Sequence, residues 1–206
     1  IKDMDGSVHE CMLYMPNYSE VNSCRIGIDK NASIEALESP FRNRIVFHGS
    51  SYTHGVRTSR PGMSYPMQFM RSTGMQVLSL GASGNCKMQP YFAAVLEDVE
   101  ADAFIFAAHP GKPLICQQTI YREARNFSVS YDEREQAKMD MAAKIFKEEI
   151  LGKPKYKDVY FITPNAGDGT HEFSVDGVHP DNYGYRLWEQ SIEKPILKIL
   201  KKYGIR

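Results

Sequence analysis

The chain has 206 residues, 25 basic and 25 acidic side chains, 42% hydrophobic content and 24% charged content. That length and composition suit one soluble α/β domain with a buried core. A formal net charge of zero gives no pull toward nucleic acid or an anionic membrane, and no apolar run approaches the ~18 residues of a membrane span. No secretory leader is visible; because the chain opens on Ile1 rather than Met, its natural N-terminus is expected to lie upstream.

Residues 11–15 and 24–28 predict two short strands joined by a polar turn through Pro16, Asn17 and Ser19. Two strands cannot bury a face alone, so their sheet is expected to be completed outside this chain. Residues 31–44 read as a linker ending in Pro40, Arg42 and Arg44. A different rhythm starts at residue 45. Residues 45–47, 77–80, 104–106, 114–116 and 159–162 are short apolar strands. Between them, residues 61–71 carry Met63, Met67 and Met70 at helical spacing and stop at Gly74. Residues 88–99 predict a helix with Phe92, Val95, Leu96 and Val99 on one face. Residues 131–151 predict a long amphipathic helix with a Ser130/Glu133 capping box and a stop at Gly152. Residues 181–203 form the last helix, with Pro195 as a kink, Trp188 in the core and a lysine-rich end suited to the helix dipole. Continuously apolar strands alternating with helices mean a parallel sheet covered on both faces, here a three-layer α/β/α fold of about five strands.

The four cysteines, Cys11, Cys24, Cys86 and Cys116, form no CxxC pair, which argues against zinc or thioredoxin chemistry. Cys11 and Cys24 could face each other across two strands, but free buried thiols are the expected state. His48 and His54 have no carboxylate spaced to join them as metal ligands. Asp168 and His171 lie in a loop that is either pocket lining or plain surface. Arg57 and Arg60 either bind an anionic substrate or cap the loop that carries them. Met63, Met67, Met70, Met75 and Met88 could line an apolar channel, though a core role suits them better.

Sites of such sheets lie at the carboxyl ends of the strands, and three loops there carry chemistry. The first, Gly49-Ser50-Ser51-Tyr52-Thr53-His54-Gly55, turns sharply after a strand and would expose Ser51 beside free N–H groups. The second, Gly81-Ala82-Ser83-Gly84-Asn85, lets backbone approach a ligand. The third, Asp176-Gly177-Val178-His179-Pro180, places a carboxylate and an imidazole on one tight turn, with Pro180 as the first position of the next helix. Each has a bland reading: a Ser/Gly-rich loop, a glycine turn, an N-cap Asp with a surface His. Together they predict Ser51 Oγ within about 3–4 Å of one ring nitrogen of His179, with Asp176 on the other. They also predict an activity that rises with pH through the imidazole range, near about 6.5.

The order Gly-x-Ser-x-x-x-Gly, Gly-x-Ser-Gly-Asn, Asp-x-x-His resembles the SGNH (GDSL-like) hydrolases. With Ser59-Arg60-Pro61-Gly62-Met63-Ser64-Tyr65-Pro66 it resembles a Bacteroidetes branch in which a β-sandwich precedes the hydrolase domain. The resemblance implies a flavodoxin-like fold, a sandwich remnant over residues 1–30, a linker over 31–44 and the hydrolase domain over 45–206. It implies Ser51 as nucleophile, with Ser50 in the place usually held by Asp. It implies His179 as base, Asp176 as its orienting carboxylate, and the N–H groups of Ser51 and Gly84 in the oxyanion hole. The family's third oxyanion donor, an Asn after the third strand, has no counterpart; Asn85 is the nearest substitute. No cofactor or metal is implied. The implied substrate is a small-molecule or glycan ester, acetylated carbohydrate above all, in an extracytoplasmic setting. A lipid acyl hydrolase and a non-catalytic glycan-binding domain of the same fold are the rivals.

The same place raises a second question. Parallel strands need a crossover of about a dozen residues, yet only Ala107 to Pro113 separate residues 104–106 from 114–116. The spacing predicts a segment missing at or within a residue or two of the Phe106/Ala107 junction, the alternative being an antiparallel hairpin.

Overall fold

The computed structural model describes residues 5–87, 89–105, 111–119, 128–165, 167–168, 170 and 172–206. Strands β1 (Arg42–Gly49), β2 (Met75–Gly81), β3 (Ala103–Ile105), β4 (Leu114–Gln117) and β5 (Val159–Ile162) form one sheet. Its order is β2-β1-β3-β4-β5, and every pairing is parallel. This is the flavodoxin-like order, whose direction reverses between β1 and β3 and opens a crevice at the carboxyl ends there. The helices are α1 (Ser51–His54), α2 (Tyr65–Thr73), α3 (Pro90–Glu97), α4 (Val129–Ile145) and α5 (Asn182–Leu200).

Side chains alternate across a strand, and β1 shows why both faces are apolar. Ile45 and Phe47 pack with Tyr65 and Phe69 of α2 and with Tyr185, Trp188, Ile192 and Ile196 of α5. Val46 faces the other way, with Phe104 of β3 and Leu96 of α3. All but the Tyr65, Trp188 and Leu96 side chains of this group are wholly inaccessible, and each such burial contributes about 1.5–3 kcal/mol. Tyr160 and Ile162 of β5 join the first face, while Phe161 stacks on Phe146 just after α4, ring centroids 4.6 Å apart.

The parallel pairing Phe104↔Leu114 and Ile105↔Ile115 rules out the hairpin alternative. The Phe106/Ala107 junction, where a missing segment is expected, lies outside the described residues. Other differences are local. Residues 5–41 contain no helix or strand, so the two expected N-terminal strands do not form; they have no neighbouring strand to pair with here. Cys11 and Cys24 are free and exposed rather than buried. β1 starts at Arg42, inside the expected linker. The N-cap of α4 is Ser128, with no side-chain cap, so the Ser130/Glu133 box is absent. None of the residues of α4 is buried, so it lacks the apolar face its spacing implied. On α3, Val95 is exposed and only Leu96 is buried. Pro180 is not the first residue of α5: Asp181 caps that helix, its carboxylate accepting from Gly184 N at 2.8 Å. Met70 and Met75 are core residues, and Met88 lies outside the described residues.

The N-terminal segment lies against the sheet's carboxyl end. Tyr18 stacks on His54 at 4.1 Å, and the His54 Nε2–H donates to the Asn17 carbonyl. Arg71 donates to the Tyr14 hydroxyl at 3.2 Å.

Candidate active site

Gly49 and Gly81 are register partners at the ends of β1 and β2, and their lack of side chains lets the chain double back on itself. A Cβ on Gly49 would collide with Thr53 Oγ1, and one on Gly81 with the His54 backbone N and Cα. α1 therefore lies directly over the strand ends. It is held there by Ser79 Oγ donating to Thr53 O at 3.1 Å and by a 2.9 Å bond between Thr53 Oγ1 and the buried Tyr65 hydroxyl. It stops after one turn at Gly55, which is left-handed at φ 80°. Ser51 opens α1, so by position its N–H has no intrahelical acceptor.

The facing loop closes on itself. Ser174 and Pro180 form an isolated bridge, and Gly177 takes a left-handed φ of 73°. Asp176 Oδ1 accepts from the N–H groups of Val178 (3.0 Å) and His179 (2.7 Å). That fixes the turn and leaves Oδ2 for side chains. His179 Nδ1 donates to Oδ2 at 2.9 Å, because a carboxylate only accepts. The same tautomer leaves a lone pair on Nε2, 3.0 Å from Ser51 Oγ. Burial alone would raise the Asp176 pKa. Hydrogen bonds from His179 N–H, its ring, Val178 N–H and Arg57 outweigh it and hold the group well below the usual carboxylate range. Such a hydroxyl, imidazole and carboxylate in series can activate an oxygen nucleophile near neutral pH.

The other expected residues are nearby or elsewhere. Gly84 sits at φ 73° in the exposed turn after β2. In that turn Asn85 ties its amide back to Ser83 O at 3.2 Å. Asp168 accepts from the Tyr183 hydroxyl at 2.9 Å; His171 lies outside the described residues. Buried His48 donates from Nδ1 to Leu80 O at 3.0 Å, and its Nε2 lies 3.7 Å from Cys86 Sγ. Burial pushes that thiol's pKa up.

A cavity of about 110 Å³ opens beside the serine, lined by its neighbours Ser50 and Tyr52 and by His48, Cys86, Gln117 and Trp188. Trp188 is core, as expected, but its Nε1–H also donates to Gln117 Oε1 at 3.0 Å and so builds the cavity wall. Gln117, Gln118 and Thr119 escaped the sequence reading, although the end of β4 is where the carboxyl-end rule points. A larger cavity of about 550 Å³ is lined by residues such as Arg44, Gln76 and Asp102. It sits at the amino ends of the strands and holds neither serine nor histidine, so the smaller cavity is the relevant one.

Comparison with known proteins gives the family. The GDSL-like Lipase/Acylhydrolase family matches residues 42–108, which take in β1, α1 and the turn after β2. A structure described as a GDSL-like lipase from Bacteroides ovatus is 32% identical with a TM-score of 0.71, over 84% of this chain and 58% of that one. The chain belongs to the GDSL-like (SGNH) hydrolase family. Two more distant structures share the chain's fold. The salicylyl-acyltransferase SsfX3 from a tetracycline biosynthetic pathway is 16% identical, TM-score 0.57, over 79% of this chain and 56% of that one. A family two carbohydrate esterase from Clostridium thermocellum, in complex with cellohexaose, is 14% identical, TM-score 0.52, over 82% and 68%. No curated protein matches this chain. It spans less than two thirds of the Bacteroides relative's length. Among the described residues, no helix is long and apolar enough to cross a membrane.

Proposed function

We propose that this hydrolase is a serine esterase acting on small acyl esters, acetyl esters of carbohydrates foremost. The observation that carries the reading is the Ser51 Oγ–His179 Nε2 separation of 3.0 Å with Asp176 behind the ring. Ser51 Oγ attacks the ester carbonyl carbon while His179 takes its proton. The N–H groups of Ser51 and Gly84 receive the oxyanion. Collapse breaks the bond to the alcohol oxygen, which leaves with the proton from His179. Water then attacks the acyl-serine with His179 again as base, releasing the acid and restoring Ser51. Asp176 is the orienting group. Asp176→Asn is expected to lower kcat by about 10²- to 10⁴-fold. The loss is read as kcat on the alkaline plateau of each variant's pH–rate profile. An Asn variant with wild-type kcat would remove Asp176 from the mechanism.

Two points support the substrate class. A cavity of about 110 Å³ falls well below the roughly 300–1,000 Å³ that house drug-sized ligands, so it suits an acetyl group rather than a fatty acyl chain. The carbohydrate part rests on the resemblance to the sandwich-bearing branch, and the same fold carries the Clostridium carbohydrate esterase. The N-terminal segment is read as the end of that preceding sandwich, and the setting as extracytoplasmic. p-Nitrophenyl acetate should be turned over with a kcat/KM at least about 100-fold above that of p-nitrophenyl palmitate, with Ser51→Ala as control. Preference for palmitate would replace the small-acyl reading by a lipid one, and no turnover of either ester or of acetylated sugars would leave a glycan-binding domain.

A further inference from the structure

The loop after α1 carries Arg57, which takes no part in the acyl-transfer steps. Arg57 has a left-handed backbone, φ 71°, a conformation that costs a side chain bearing a Cβ and suits glycine. The chain is pinned on either side of it. The Tyr185 hydroxyl donates to Val56 O at 2.9 Å. Ser59 exchanges bonds with Asn182, its N–H donating to Oδ1 at 3.0 Å and its hydroxyl accepting from Nδ2 at 2.7 Å. α5 therefore enforces the backbone at Arg57 from both flanks. Strain held in this way marks a side chain placed for a purpose. The placement is specific: Arg57 Nε donates to Asp176 Oδ2 at 3.2 Å, the same oxygen that receives His179 Nδ1.

We infer that Arg57 is a positioning residue of the triad, holding the Asp176 carboxylate toward the ring and sharing its charge with the imidazole. The inference rests on the reading of Ser51, His179 and Asp176 as a working triad. Among the described residues, the charged and titratable groups facing His179 are Asp176 on its own turn, Arg57 from the loop, and Ser51 and Tyr52 from α1. Tyr18 of the N-terminal segment lies within the field of Arg57. A guanidinium and an imidazolium that share one carboxylate oxygen repel, so loss of the guanidinium is read in the pH dependence of the reaction.

The test compares Arg57→Gln, Arg57→Lys and Arg57→Gly in pH profiles of kcat/KM for p-nitrophenyl acetate. Loss of the charge in the Gln and Gly variants should move the acid limb to higher pH by about half a unit at low ionic strength, and by less in high salt. Lys, which keeps the charge, should return the limb close to wild type. Arg57→Gly should also raise the melting temperature, because it relaxes the backbone. A merely structural role would lower activity equally at every pH and would not respond to salt. Coincident acid limbs in wild type, Gln and Gly variants overturn the inference whatever their melting temperatures. Ser51→Ala is run alongside: if it is inactive while the limbs coincide, the inference alone fails, and if it is fully active the triad reading fails with it.

Discussion

Ser51→Ala should lower kcat by roughly 10³-fold or more, while Ser50→Ala should cost less than about tenfold. The two serines are adjacent, and the fold gives them different work. Ser51 is the first residue of α1 and points its hydroxyl at His179 Nε2. Ser50 is the N-cap position, but its hydroxyl makes no cap bond and its side of the chain lines the small cavity. On the proposed mechanism, removing Oγ of Ser51 deletes the atom that would form the acyl bond and leaves only oxyanion and binding effects. Groups that act as a unit do not add, so Ser51→Ala/His179→Ala should be no worse than either single variant. Burst kinetics with p-nitrophenyl acetate in the wild type, absent in Ser51→Ala, would report the acyl-serine directly. A dead Ser50 variant beside a live Ser51 variant would place the nucleophile one residue earlier and sink the assignment.

Gly81→Ala is expected to destabilise the protein by roughly 1–3 kcal/mol or more, the cost of overpacking a site that cannot yield. The added methyl would overlap the His54 backbone N and Cα and lie 2.7 Å from the Thr53 carbonyl carbon. All three are main-chain atoms, so no rotamer change relieves the clash. α1 would have to lift from β2 and carry Ser51 away from His179. A displacement near 1 Å in a reacting pair costs on the order of 10²-fold in rate, so kcat should fall together with the urea midpoint. Gly84→Ala makes the contrast: a methyl there meets nothing within 4 Å. Its cost is the positive φ alone, about 1–2 kcal/mol. A Gly81→Ala enzyme with wild-type midpoint and kcat would show that α1 does not depend on this close approach.

Sequence reading fared best where the signal was local. Residues 159–162 are continuously apolar and form β5 over those same four residues. Asp176 and His179 are close in the chain, so the turn that joins them is written in a few letters, with Gly177 supplying the left-handed step. Signals that several arrangements share were misread. Proline suits the residue before a cap as well as the first turn, so Pro180 reads as the first position of a helix that Asp181 in fact caps. Ser130 and Glu133 have the spacing of a capping box, but the helix starts earlier, at Val129. Distant contacts outside the three loop motifs left no mark. Trp188 and Gln117 meet across 71 positions, and Arg57 and Asp176 across 119. No periodicity connects such pairs; only the packing of α5 and the loop after α1 at the sheet's carboxyl edge does. The hairpin alternative for residues 104–116 failed for a related reason, since strand direction is set by partners on both sides and β1 and β5 are both parallel to the pair.

The contact between His54 and the N-terminal segment has a mechanical meaning. A carbonyl can only accept, so the bond to Asn17 O puts the ring proton on Nε2. Nδ1 is then the acceptor that receives the Ser83 N–H at 3.4 Å. One locked tautomer thus joins three chain segments: the strap at Asn17, the helix that begins with Ser51, and the turn that carries Gly84. Tyr14, against Arg71 and Gly62, anchors the strap farther along. Expression boundaries drawn at the start of the sheet, near residue 42, would keep every strand and all of Ser51, Asp176 and His179, yet would leave one side of that joint unmade. The sheet and the contacts that hold α1 against its neighbours therefore begin at different residues.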